Sequence, residues 1–92
     1  MIKIKQTSRF RKIHKKLKPN QRGFVDSAIG VIVQNPEVGT RKKGDLSDIY
    51  VYKFPMLGQQ TLLAYIYIED ELTVLLLSLG SHENFYRDMR RN

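Results

Sequence analysis

The sequence predicts an α+β fold, a helical hairpin packed on a small antiparallel sheet, in the order β-α-α-β-β-β-α. Apolar residues recur at helical spacing between Ser8 and Gln34 and at strand spacing from Ile49 to Leu79. Two turn signals, Pro55-Met56-Leu57-Gly58 and Glu69-Asp70, divide the second region into three consecutive strands, the pattern of a meander. Ninety-two residues allow one domain, spanning 1–92, with a modest core.

Ile2 and Ile4 alternate with Lys3 and Lys5, which predicts a short strand with one buried face. Thr7 and Ser8 are natural N-cap residues for a helix from about Ser8 to Lys18, with Phe10, Ile13 and Leu17 on its apolar side. Pro19 ends that helix and opens a second one, since a helix tolerates proline in its first turn, where an N–H has no partner anyway. The second helix runs to about Gln34, with Phe24, Val25, Ala28, Ile29 and Ile32 on a broad apolar face, and Gly23 and Gly30 weaken it. Together the helices predict an antiparallel hairpin with a basic outer face.

Asn35-Pro36 stops the second helix, and Pro36 to Asp48 reads as a loop. Strands follow at Ile49 to Phe54, Gln60 to Ile68 and Leu72 to Leu79. The unbroken run Val74-Leu75-Leu76-Leu77 predicts a central strand buried on both faces. A last helix from Glu83 to Arg91 completes the order.

Sixteen Lys and Arg against nine Asp and Glu give a net charge of +7, while 41% hydrophobic residues exclude a disordered basic tail. Nine cations and no acid lie between Met1 and Arg22. Arg41, Lys42 and Lys43 form a second group, and Arg87, Arg90 and Arg91 a third. The charge points to nucleic acid, an acidic protein segment or an anionic membrane surface as partner, and does not by itself choose among them. The absence of cysteine excludes disulfides and thiolate chemistry. The longest apolar stretch, Leu72 to Leu79, falls short of the roughly 18 residues that a membrane span needs. The expectation is a cytoplasmic protein with no membrane partner and no cofactor.

The segment from Leu79 to Arg87 holds the candidate chemistry. His82, Phe85, Tyr86 and Arg87 gather where a hydrophobic strand ends, and imidazole can act as acid or base near neutral pH. His82 reads either as a proton donor or as a hydrogen-bond partner of a helix end, and Lys53 either as a phosphate ligand or as a plain strand cation. Phe85 reads as an anchor of the last helix, and Tyr86 reads either as a second such anchor or as a ring that can stack on a base. His14, beside an apolar stripe, reads as structural. Glu69-Asp70-Glu71 has no nearby histidine at ligand spacing and reads as a solvated turn, so no metal site is expected.

This order of elements, with the segment Lys43-Gly44-Asp45-Leu46-Ser47-Asp48-Ile49-Tyr50, the strand Leu62-Leu63-Ala64-Tyr65 and the ending Gly80-x-His82-x-x-Phe85-Tyr86, resembles the RelE/ParE superfamily of toxins from type II toxin–antitoxin systems. The resemblance spans essentially the entire chain. It implies a cognate antitoxin with an acidic segment as partner. For RelE-like members it also implies metal-independent endoribonuclease action on mRNA at the ribosome, which inhibits translation. In that frame His82, Lys53 and Tyr86 take the catalytic roles, and Arg41, Lys42, Lys43, Arg87 and Arg90 hold RNA phosphates. The basic N-terminal run then faces either nucleic acid or the antitoxin.

Two positions depart from the ribonuclease pattern. Leu62 stands where many such members carry an arginine, and Val51 where they carry a second lysine. These departures favour the alternative of a ParE-like inhibitor of DNA gyrase without nuclease activity; a non-catalytic basic RNA-binding module is a third reading.

Overall fold

A computed structural model describes residues 1–42 and 48–81. Its elements are β1 (Lys3–Gln6), α1 (Ser8–Lys15), α2 (Pro19–Gln34), β2 (Thr40–Arg41), β3 (Tyr50–Met56), β4 (Gln59–Ile68) and β5 (Thr73–Ser81), with a 3₁₀ turn over Glu69–Glu71. The strands form one sheet in the order β1-β5-β4-β3-β2. The meander β3-β4-β5 is antiparallel, as the turn spacing predicts, and β1 adds a parallel edge against β5. The expected last helix, Glu83 to Arg91, lies outside the described residues.

Thr7 starts α1 as the sequence predicts. Its hydroxyl accepts from the Phe10 N–H at 3.1 Å, and its hydrogen is shared between the Leu76 and Leu77 carbonyls, each at 3.1 Å. One side chain thus caps the helix and fixes its start to β5. The helix ends at Lys15, three residues before the expected Lys18. Pro19 disfavours helical backbone at the residue before it, and Lys18 is extended at φ −73°, ψ 156°. In α2 the Gln21 side chain accepts the Lys18 N–H at 2.9 Å, which satisfies one donor of the first turn.

The loop expected over Pro36–Asp48 contains a short strand, β2, which pairs with Val51 and Tyr50. No pattern of alternation can show in two residues. The Tyr65 hydroxyl is what holds this segment: it donates to the Pro36 carbonyl at 2.7 Å and accepts from the Gly39 N–H at 3.0 Å. A Cβ at Gly39 would lie 2.8 Å from that hydroxyl oxygen, so glycine is needed there.

β3 extends through Pro55 to Met56, beyond the expected end at Phe54. Pro55 is tolerated because β2 faces only Tyr50 and Val51, so this part of β3 has β4 on one side alone. The turn shrinks to Leu57-Gly58, with φ of 54° and 80°. Two central residues at positive φ make the tight hairpin turn whose twist suits antiparallel strands.

β4, not β5, is the middle strand, and Leu62, Leu63, Ala64 and Tyr65 are all fully buried. β5 is interior, yet Leu75 and Leu77 are half-buried: Val74 and Leu76 face the helices, so these two lie on the opposite side of the sheet, which no helix among the described residues covers. Between helices and sheet lies the main core, built on Phe10, Val25, Ile32, Leu63, Tyr65 and Val74. A smaller cluster of Val51, Leu62 and Ala64, with Ile49 and Leu77 against it, occupies the opposite face. Leu77 reaches that cluster at a β-bulge, where the β4–β5 register shifts between Ala64 and Tyr65.

The basic outer face of the hairpin belongs to α1, where Arg11, Lys12, Lys15 and Lys16 are exposed. The exposed side of α2 is largely uncharged.

Candidate functional site

Strand alternation sorts the candidate residues by face. Tyr50, Tyr52 and Phe54 point to the helices, so Val51 and Lys53 point away from them. Lys53 is exposed and pairs in register with Leu62, which pairs with Gly80. These three residues form one row across β3, β4 and β5. With strands about 4.8 Å apart, the Lys53 and Gly80 backbones lie roughly 10 Å apart. His82 follows Gly80 by two residues in sequence.

The next row, Val51–Ala64–Ser78, is buried throughout. The face carrying Lys53 is therefore an apolar floor with one cation among its described residues on β3 and β4. Leu62 and Val51, the two departures from the ribonuclease pattern, are fully buried parts of that floor.

Arg41 is not brought to Lys53. It pairs with Tyr50, three residues along β3 and on the other face, and its guanidinium lies 4.0 Å from the Asp48 carboxylate. Both side chains are well exposed, so this pair contributes little. Lys42 follows on the same segment, half-buried, with its N–H donating to the Ile49 carbonyl at 2.9 Å. The other candidates, His82, Tyr86, Lys43, Arg87 and Arg90, lie outside the described residues.

Sequence reasoning missed the residue that positions Arg41. Tyr65 clamps the segment from Pro36 to Gly39 and stacks on Tyr50 at 5.4 Å, and its burial pushes the phenol above its ordinary value against the pull of the Gly39 N–H. The available signal was a tyrosine inside an otherwise aliphatic strand, whose hydroxyl must find a partner when buried. His14 has the structural place expected of it. It stacks on Phe10, and its Nε2 lies 3.1 Å from Asp26 Oδ1, which ties α1 to α2. Among the described residues no group of three or more metal-binding side chains is arranged to hold an ion, and no helix is long and apolar enough to cross a membrane.

Residues 4–90 match the family model of the ParE-like toxin of type II bacterial toxin–antitoxin systems. The chain belongs to that family. Curated proteins offer no match to the sequence. Among solved structures, this toxin superposes on a chain of the intact RelBE toxin–antitoxin complex of E. coli with a TM-score of 0.73 and 21% identity, covering 88% of this chain and 96% of that one. The RelBE2 toxin–antitoxin complex of Mycobacterium tuberculosis gives 0.74 and 20%, covering 88% and 98%. The YoeB/ParE toxin of Agrobacterium tumefaciens gives 0.69 and 11%, covering 88% and 99%. At these identities the likeness establishes a shared fold, and the RelE/ParE assignment drawn from the sequence is borne out.

Proposed function

We propose that this toxin inhibits translation by cutting mRNA on the ribosome and that a cognate antitoxin with an acidic segment neutralises it. The observation that carries the nuclease reading is the row Lys53–Leu62–Gly80: an exposed cation shares a cross-strand row with the residue that lies two before His82. RNA cleavage without a metal needs attack by the 2′-hydroxyl on the adjacent phosphorus, an acid for the leaving 5′-oxygen and cations for the charge that gathers on the phosphate. In this reading a base removes the 2′-hydroxyl proton and His82 protonates the 5′-oxygen. Lys53 and Arg87 stabilise the five-coordinate phosphorus, and Tyr86 stacks on a base to set the in-line angle. Glu83, adjacent to His82 in sequence, is the candidate base. Arg41, Lys42, Lys43 and Arg90 hold the RNA backbone further out.

A second reading is supported by its own observation. The floor of Val51, Leu62 and Ala64 is apolar where the resemblance sets a lysine and an arginine, which favours a ParE-like gyrase inhibitor without nuclease activity. Primer extension on cellular mRNA after induction separates the two. New 5′ ends within translated messages support the nuclease. Intact mRNA, together with loss of supercoiling by purified gyrase in the presence of the toxin, supports the other. The antitoxin reading is tested by co-expression, which should restore growth.

A further inference from the structure

Along β5 the alternation of side chains slips once. Val74, Leu76 and Leu79 face the helices, while Leu77 packs against the cluster on the opposite side of the sheet. Ser78 pairs with Ala64 and Gly80 with Leu62, and both partners belong to that cluster. Leu77 and Ser78 are thus consecutive and on one side, the mark of the bulge where the register shifts between Ala64 and Tyr65. Without the extra residue every side chain from Ser78 onward would change face, and Gly80 would leave the side of Lys53. His82 stands two residues after Gly80, one strand period, so the bulge sets the side on which the chain leaves β5 toward it.

A bulge interrupts the ladder, and the backbone groups it frees need other partners. Successive carbonyls of a regular strand point to opposite edges, yet those of Leu76 and Leu77 both reach Thr7. The Thr7 hydroxyl lies 3.1 Å from each, and the Thr7 N–H donates to the Leu76 carbonyl at 3.1 Å. The last pair of β1 with β5 is Gln6–Leu76, so Thr7 meets β5 where that ladder ends and the bulge begins. Capping α1 asks only that this side chain accept from the Phe10 N–H, which aspartate does as well. Holding two carbonyls asks for a donor, which an ionised aspartate lacks.

We propose that Thr7 is a positioning residue for the cleavage reaction: its hydroxyl holds the Leu76–Leu77 bulge, and the bulge turns the end of β5 so that His82 falls on the face of Lys53. This rests on the nuclease reading above.

The test compares full-length Thr7→Ser, which keeps the donor, with Thr7→Asp, which keeps the cap and loses the donor. Two quantities are read: the cross-strand NMR contact of Leu62, which pairs with Gly80 in the wild type, and the cleavage of mRNA on programmed ribosomes. In Thr7→Asp the contact should move from Gly80 toward Leu79, and kcat should fall about 10²-fold, the scale for a misplaced catalytic group, with KM within about twofold. Thr7→Ser should match the wild type in both. If Thr7→Asp does not fold, Thr7→Gly removes the hydroxyl at small cost to the cap and gives the same readout. A contact that stays at Gly80 in the folded variants overturns the role of Thr7, whatever cleavage does, and leaves the nuclease reading intact. A contact that moves while cleavage is unchanged overturns the link from the bulge to His82. A wild type that leaves mRNA intact overturns the nuclease reading and the role of Thr7 with it.

Discussion

The two faces of the sheet are built to different rules. On the helix side, Phe10, Val25, Ile32, Leu63 and Tyr65 meet in a continuous core whose polar groups are few and bonded. On the other side, Val51, Leu62 and Ala64 form a small apolar floor beside an exposed lysine, in the row that ends two residues before His82. Under the proposed nuclease reading, a side chain on the first face affects cleavage only by destabilising the fold, whereas one on the second affects cleavage while the fold persists. Leu62 and Leu63, neighbours in sequence and both fully buried, fall on opposite sides of that division.

The largest effect is expected at the end of β5. His82→Ala should lower the cleavage rate about 10²- to 10⁴-fold, the range for loss of a general acid, with an unchanged melting curve. If the variant stays fully toxic and wild-type mRNA stays intact, the second face does not cut RNA and the gyrase reading replaces it. On the helix face, Leu63→Ala should cost about 2–5 kcal/mol in denaturant unfolding through lost burial and a cavity, with normal activity per folded molecule. A specific activity that drops with Leu63 would break the division between the faces.

Lys53→Ala tests the second face where it is exposed. Stability should move by no more than about 0.5 kcal/mol. Cleavage should fall about 10²-fold if the ammonium meets transition-state charge, with partial recovery in Lys53→Arg. Unchanged cleavage would make Lys53 a solvated strand cation.

Tyr65→Phe should cost about 1–3 kcal/mol, because the Gly39 N–H and the Pro36 carbonyl lose their shared partner. It also carries a pH signature. Burial raises the phenol above its ordinary value, so the folded protein keeps this proton where the unfolded chain has lost it. The unfolded state then binds fewer protons, and this contribution to stability declines as pH rises above about 10. The difference between wild type and Tyr65→Phe should therefore narrow in alkaline melts; a constant difference would mean that the hydroxyl is not held as described.

These elements also mark how much the sequence made legible. The Thr7 cap, the break at Pro19 and the face of Lys53 depend on neighbours within a few residues, and each could be read directly. The two-residue β2 depends on a hydroxyl 26 residues away from Gly39, and the parallel pairing of β1 with β5 joins opposite ends of the described chain. Such contacts leave no local period. The apolar floor was half legible: Val51 and Leu62 stood out against the ribonuclease pattern, but their packing with Ala64 and Leu77 depends on register and on a bulge that alternation cannot reveal. The uncharged side of α2 was hidden differently, since Phe24 fits an apolar stripe whether it faces the core or solvent.

The smallest effect belongs to the turn that joins the two strands carrying Lys53 and Leu62. Leu57 holds φ 54° with its side chain more than half exposed, a conformation that crowds Cβ against the backbone, while Gly58 at φ 80° is unstrained. Both central positions of this turn require positive φ, and Asn-Gly is the pair that meets the requirement best. Leu57→Asn should therefore stabilise the fold by about 0.5–1 kcal/mol, the usual gain from correcting one local conflict. That corresponds to roughly 2–8 °C in a thermal melt of a chain this size. Neither face of the sheet is touched, so cleavage and antitoxin affinity should not change. A stabilised variant with altered cleavage would mean that the Leu57 side chain meets the RNA or its ribosomal support, and the boundary of the second face would then extend around the hairpin tip.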